Sequence, residues 1–230
     1  MTVLDKRLAA VAEEMTPGGV GVDVGTDHGY LAVHLVETGR AARMLATDIN
    51  PQPLESARRC VAEAGLTDRI ETVLTSGLEG LDLEPVTDVF IAGMGGVLIT
   101  EILAARHPVR AALSLQPMTQ APALRQWLLE NGYEIRRERC AVSAGRPYTV
   151  IHAVYDGQVR KCDPLFALVG LAGEDDSPDA GAYLRRQLDR LAQKADGLAR
   201  AAGGETERAE TLALMDELRQ LIAKREERLA

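Results

Sequence analysis

The sequence predicts an α/β fold: a mostly parallel sheet covered by helices on both faces, ending in an antiparallel β-hairpin and followed by an antiparallel helical hairpin. Three observations carry this reading. Short apolar runs alternate with helix-like segments as far as residue 131. Two longer strand-like runs then flank a five-residue loop, "SAGRP". Beyond residue 177, Leu and Ala recur in steps of three and four.

The elements follow in order. "VGVDV" reads as a strand, residues 28–38 as a helix and "ARMLATD" as a second strand. Residues 52–64 form the next helix, and "IETVLT" and "VTDVFIAG" the next two strands. A helix over 96–105, the strand "RAALSLQ" and a helix over 120–131 complete the alternation. "YEIRRERCAV" and "YTVIHAVYD" pair as a hairpin, turned by Gly145 and Pro147. The first unit covers residues 1–157. A glycine-rich, acidic connector, "LVGLAGEDDSPDAG", then leads into the tail within 158–230.

In the tail, Leu184, Leu188, Leu191, Ala195, Leu198 and Ala202 form one heptad series. Met215, Leu218, Ile222 and Leu229 form a second, interrupted by Arg225. Ser177-Pro178 and Thr206 are the expected helix starts, and Gly203-Gly204 the turn between coiled-coil helices. With a seam of its own and a loose connector, the tail is expected to be separable after about Gly173.

Bulk properties narrow the function. The net charge of −8 argues against indiscriminate nucleic-acid binding but leaves room for a local basic patch. The densest cationic segment, "RRERC", reads as a solvated strand edge. No apolar run is long enough for a membrane span, and the N-terminus lacks the apolar centre of a signal peptide. Cys60, Cys140 and Cys162 are scattered, odd in number and without metal-ligand spacing, which suits a reduced cytoplasm and no bound metal.

The chemistry gathers where strands hand over to helices. "DVGTDHGYL" has Gly25, but the position of the second glycine of a dinucleotide turn is Asp27. A carboxylate there repels a pyrophosphate and suits an amino-bearing cofactor. Asp23 can receive an ammonium, and Thr26 completes the turn. S-Adenosyl-L-methionine has an ammonium, a sulfonium and no phosphate, so the acids favour it over a nicotinamide cofactor. Asp48, 23 residues after Gly25, is placed for the ribose hydroxyls, Ile49 for an adenine face, and Ser76-Gly77 for its edge. The "IAGMGG" loop, with Gly93, Met94, Gly95 and Gly96, lets backbone pass close to a methyl-transfer centre.

These blocks, with "RLAAVAEEM", "LQPM", "LRQWLLENGYEI" and "GRPYTVI", resemble the TrmK family, bacterial tRNA (adenine-22-N1)-methyltransferases, over about residues 4–156. The resemblance implies a class I methyltransferase with a Rossmann-like sheet, and a helical tail that helps bind tRNA. It carries Asp23, Gly25, Asp27, Asp48 and Gly77 as cofactor residues and Gly93–Gly96 as the active-site edge. Thr26, Gly29 and Ala32 stand where the family has Ser, Ala and Pro. Ser76 and Met118 replace its Asp or Asn and its Asn, and Asp48 and Thr149 stand where it favours Glu. Methylation of adenine N1 leaves a cation, so Asp27 and His28 are candidates to stabilise it and Tyr30 to stack on the base. Gly95, Gly96, Gln116, Pro117, Arg125, Arg146 and Tyr148 are the expected tRNA contacts. A methyltransferase of another RNA position or of a small molecule, and a non-catalytic module using the tail, are the alternative readings.

Overall fold

The computed structural model describes residues 2–200 and 204–230. Its seven-stranded sheet has the order β3-β2-β1-β4-β5-β7-β6. The strands are β1 (Gly19–Val24), β2 (Ala41–Asp48), β3 (Ile70–Leu74), β4 (Asp88–Gly95), β5 (Ala112–Thr119), β6 (Tyr133–Ser143) and β7 (Arg146–Tyr155). Pairing is parallel from β3 through β5; β7 runs antiparallel to both β5 and β6. The order reverses between β1 and β4, which opens a crevice at their carboxyl ends.

Period-two alternation puts the two faces of the sheet into separate cores. Val22, Val24, Val89, Ile91, Leu113 and Leu115 pack on one side with Ile99 and Leu103 of α4 (Gly96–Ala104) and Leu124 and Leu128 of α5 (Ala121–Glu130). Met44, Ala46 and Phe90 point the other way, onto Leu31 and Leu35 of α2 (Tyr30–Glu37) and Val61 of α3 (Pro51–Glu63). That second core also takes Val11 and Ala12 from α1 (Lys6–Ala12), a helix the periodicity had not announced. With only seven residues, α1 relies on an Asp5 cap, whose carboxylate accepts from the Leu8 N–H at 2.8 Å, and on this packing.

The predicted strand edge is there, as β6, but its arginines are not simply solvated. Arg137 and Arg139 both bond Glu14, whose side chain is buried just after α1. Nothing in the local sequence pattern around 136–139 marks that partner, 123 residues away.

The tail helices are α7 (Pro178–Ala199) and α8 (Glu205–Leu229). Arg185 pairs with Glu226 and Lys194 with Glu207, so the two run antiparallel. Ser177 caps α7 as expected, whereas α8 starts at Glu205 after Gly204, one residue ahead of Thr206. Ala202 and Gly203 lie outside the described residues. The heptad exception has a reason: Arg225 is buried and donates to the carbonyls of Asp175 and Ser177, tying α8 to the segment before α7.

That segment is not a loose linker. It contains α6 (Pro164–Val169), and its Asp175, together with Asp179 in the first turn of α7, accepts the backbone N–H groups of Cys140 and Val142 on β6. Val169, Ala172, Ala180, Tyr183 and Leu184 share one core with Cys140. Cutting after Gly173 would expose the upstream half of that core, together with the β6 donors, to water, a cost to the upstream unit that the loose-connector argument leaves out.

Candidate active site

Six of the predicted cofactor residues meet in one cavity of about 280 Å³ at the carboxyl ends of β1, β2 and β4. Gly25, Asp48, Ile49, Ser76, Gly77 and Met94 line it, joined by Leu98 and Ile102 from α4. Those two helix residues were not foreseen; on the sequence they look like any apolar helix positions. Gly25 has φ of +74°, and a Cβ there would lie 2.2 Å from Met94 Cε. A side chain at this turn would enter the space between β1 and β4. Asp48 accepts the Asn50 N–H at 2.8 Å through Oδ1. Its Oδ2 has no protein partner among the described residues, which leaves an acceptor for a ligand.

Asp23 lies behind this wall. It is buried, and its Oδ2 accepts the Thr26 hydroxyl at 2.7 Å. Burial pushes its carboxyl up to about 6, against the lowering effect of the Thr26 bond, with the Asp48 charge adding to the rise. The turn that follows is open: Asp27 has φ of +49°, its carboxylate is 3.6 Å from His28 Nε2, and the His28 and Tyr30 rings stack at 5.2 Å. Tyr30 is 46% exposed, so its free face is available to a flat ligand.

A second, larger cleft of about 420 Å³ opens between the β5 and β7 ends and α7. Pro117, Arg146 and Tyr148 line it, as does Met118. Its other wall carries Arg186, Arg190 and Lys194. Their i, i+4, i+8 spacing sets three cations on one face of α7, a signal the sequence held but that the heptad reading passed over. Arg146, Arg186 and Arg190 form no ion pair among the described residues. Met94 of the first cavity is the cross-strand partner of Pro117 of the cleft, and Gly95 of Thr119. The two spaces therefore flank one seam between β4 and β5.

Two of the expected tRNA contacts are misplaced. Arg125 is fully buried, its guanidinium bound to Glu138, the Ala167 and Leu168 carbonyls and the Tyr183 hydroxyl. It faces the inside of α5 and cannot reach a phosphate. Gln116 is also fully buried; its Oε1 accepts from Gly93 N and from Arg7, so it holds the loop from beneath and is not part of the cleft lining. Gln116 belongs to "LQPM" and Arg125 follows it on the next helix, which had put both on the rim, but the pleat of β5 and the inner face of α5 turn them inward. Gly93 holds φ of +82° at a register break in β4, and Gly96 is buried at the first turn of α4.

The family model described as a methyltransferase domain matches residues 4–151. The chain is 35% identical over 164 residues to the tRNA (adenine(22)-N(1))-methyltransferase of Bacillus subtilis, covering 67% of this chain and 69% of that one. This chain belongs to the TrmK family. The crystal structure of the B. subtilis m1A22 tRNA methyltransferase TrmK matches with a TM-score of 0.84 at 29% identity, over 96% of this chain and 100% of that chain. M. capricolum TrmK, in complex with S-adenosyl-homocysteine, matches with a TM-score of 0.80 at 26% identity, over 96% and 98% of the two chains. Streptococcus pneumoniae Sp1610, in complex with S-adenosyl-L-methionine, gives 0.78 at 30% identity, over 96% and 100%. At 96% coverage of this chain, each likeness extends into the helical tail and does not stop at the sheet.

Proposed function

We propose that this protein methylates N1 of an adenine in tRNA, at position 22, using S-adenosyl-L-methionine in the cytoplasm. The observation that carries the reading is the β4–β5 seam, where a cavity lined by Asp48 and apolar side chains opens beside a basic cleft. An acidic protein that binds a polyanion needs its cations gathered locally, and Arg146, Arg186 and Arg190 meet that need. S-Adenosyl-L-methionine supplies an electrophilic methyl group on a sulfonium. The donor set fits it: Asp48 offers a free carboxylate oxygen to the ribose, Asp23 a negative charge toward the ammonium, and Ile49 and Leu98 an apolar cover for adenine. Adenine N1 brings its own lone pair, so orientation in line with the methyl group is the main requirement on the protein. In this reading Tyr30 stacks on the unstacked target base, while Asp27 and His28 stabilise the cation that methylation leaves on it. The coiled-coil tail serves as the far wall of the RNA path.

The test is nucleoside mass spectrometry of bulk tRNA incubated with the protein and cofactor. N1-methyladenosine should appear. A different methylated nucleoside would move the target, and methylation of small molecules alone would remove the RNA role. Arg146→Glu should raise the tRNA KM and flatten its salt dependence while leaving cofactor affinity untouched. Unchanged tRNA kinetics would displace the RNA path from this cleft.

A pH dependence follows from Asp23. Its folded value of about 6 lies above the ordinary 3.8, so the native state holds this proton more tightly than the unfolded chain. Its burial therefore costs least stability at low pH, and the cost grows as pH rises through that window, to level off above about 6. A cationic ligand reverses the preference by favouring the carboxylate. Affinity for S-adenosyl-L-methionine should rise between about pH 5 and 7, and Asp23→Asn should flatten that rise in calorimetric titrations. An equal slope in both proteins would sever Asp23 from the ammonium.

A further inference from the structure

The cofactor site described so far is one-sided in charge. Asp48 lines its cavity, Asp23 lies behind the wall and Asp27 sits in the turn that follows, and no Lys or Arg is among the described residues of the lining. The methionyl end of the donor carries a carboxylate as well as an ammonium, and these acids serve only the ammonium and the ribose. A carboxylate placed among three acids needs a cation of its own.

One guanidinium abuts the Gly93 loop, whose next residue, Met94, lines the cavity. Arg7, on the first turn of α1, donates through Nη1 to Gln116 Oε1, the same oxygen that accepts the Gly93 N–H. A Cβ built on Gly93 would lie 3.7 Å from Arg7 Nη1, with no nearer neighbour. The Arg7 side chain is only 18% exposed, yet it lacks a full counter-charge. Its nearest carboxylate oxygen, Asp5 Oδ2, is 3.7 Å from Nε, too far for a hydrogen bond. Asp5 is also occupied elsewhere: it caps α1 through the Leu8 N–H and accepts the Ser143 hydroxyl. Nη2 of Arg7 has no protein partner among the described residues. A largely buried cation that spends one hydrogen bond on a neutral amide and keeps a free N–H edge beside the Gly93 loop is set up for an anionic ligand.

We infer that Arg7 binds the carboxylate of the donor's methionyl group, so that α1 closes the cofactor site. This rests on the methyl-donor reading above. Calorimetry on the full chain tests it with two ligands, S-adenosyl-L-methionine and its decarboxylated form, which lacks only that carboxylate. Arg7→Met should weaken S-adenosyl-L-methionine roughly ten- to a hundredfold and leave the decarboxylated ligand within about threefold, the size expected for a charge-assisted pair. Arg7→Lys should restore part of the loss. Equal losses for both ligands would show that Arg7 only props the Gly93 loop and would overturn the inference, as would unchanged binding in Arg7→Met. If the unaltered protein binds neither ligand, the methyl-donor reading itself fails, and this inference with it.

Discussion

Glu138→Ala should lower the stability of the protein by about 3–5 kcal/mol, because it leaves the Arg125 guanidinium buried without a counter-charge. Both side chains of this pair are 0% exposed. Arg125 bonds Glu138 in bidentate fashion, at 2.9 Å from Nε and 2.7 Å from Nη2. Glu138 also accepts the Thr149 hydroxyl and the Leu171 N–H, while Arg125 reaches Tyr183 on α7 and two carbonyls of α6. Five elements therefore converge on one ion pair. Gly170 sits against it with φ of +55° and no room for a side chain, since a Cβ would lie 1.8 Å from Glu138 Oε1. For a chain of this size each kcal/mol shifts the melting temperature by roughly 2–4 °C, so a fall on the order of 10 °C is expected. Replacing both partners, Arg125→Met with Glu138→Leu, should recover much of it, because no charge is then stranded. Thermal melts of the single and double variants check this. A single variant as stable as the parent would mean that water reaches Arg125.

Asp48→Ala should weaken S-adenosyl-L-methionine by about 1.5–3 kcal/mol, roughly ten- to a hundredfold, through loss of charge-assisted bonds to the ribose. The substitution also removes the bond to Asn50 N, which shapes the turn before α3. Asp48→Asn separates the two effects: its amide oxygen can keep the turn, while the charge is lost. Calorimetry should place Asp48→Asn between the parent and Asp48→Ala. Unchanged affinity in both would remove the ribose assignment, and tighter binding of NAD than of S-adenosyl-L-methionine would overturn the cofactor argument.

Much of this molecule is legible one residue at a time. The order of strands and helices, the terminal β-hairpin and the helical tail follow from apolar periodicity and turn residues, which act over a few positions and survive without knowledge of partners. The cofactor cavity is legible for a related reason. In a parallel sheet every strand presents its carboxyl end to the same rim, so Gly25, Asp48, Gly77 and Met94 were bound to converge once their strands were recognised. The acids at positions 23 and 27 disfavoured a phosphate-bearing cofactor before any contact was known.

Tertiary structure alone decided which charges are available. Arg125, Arg146 and Arg186 are equivalent as letters, yet the first is sealed against Glu138 and the other two stand free in the cleft. Whether an arginine is core, strand edge or RNA contact depends on partners such as Glu14, Glu138 and Tyr183. These are brought in from distant parts of the chain, and local propensity does not record them. The same holds for α1 and α6, which are too short to declare themselves by periodicity and exist because the sheet and the tail bury them. Local pattern set the elements; long-range burial and desolvation set which of their polar groups remain free to act.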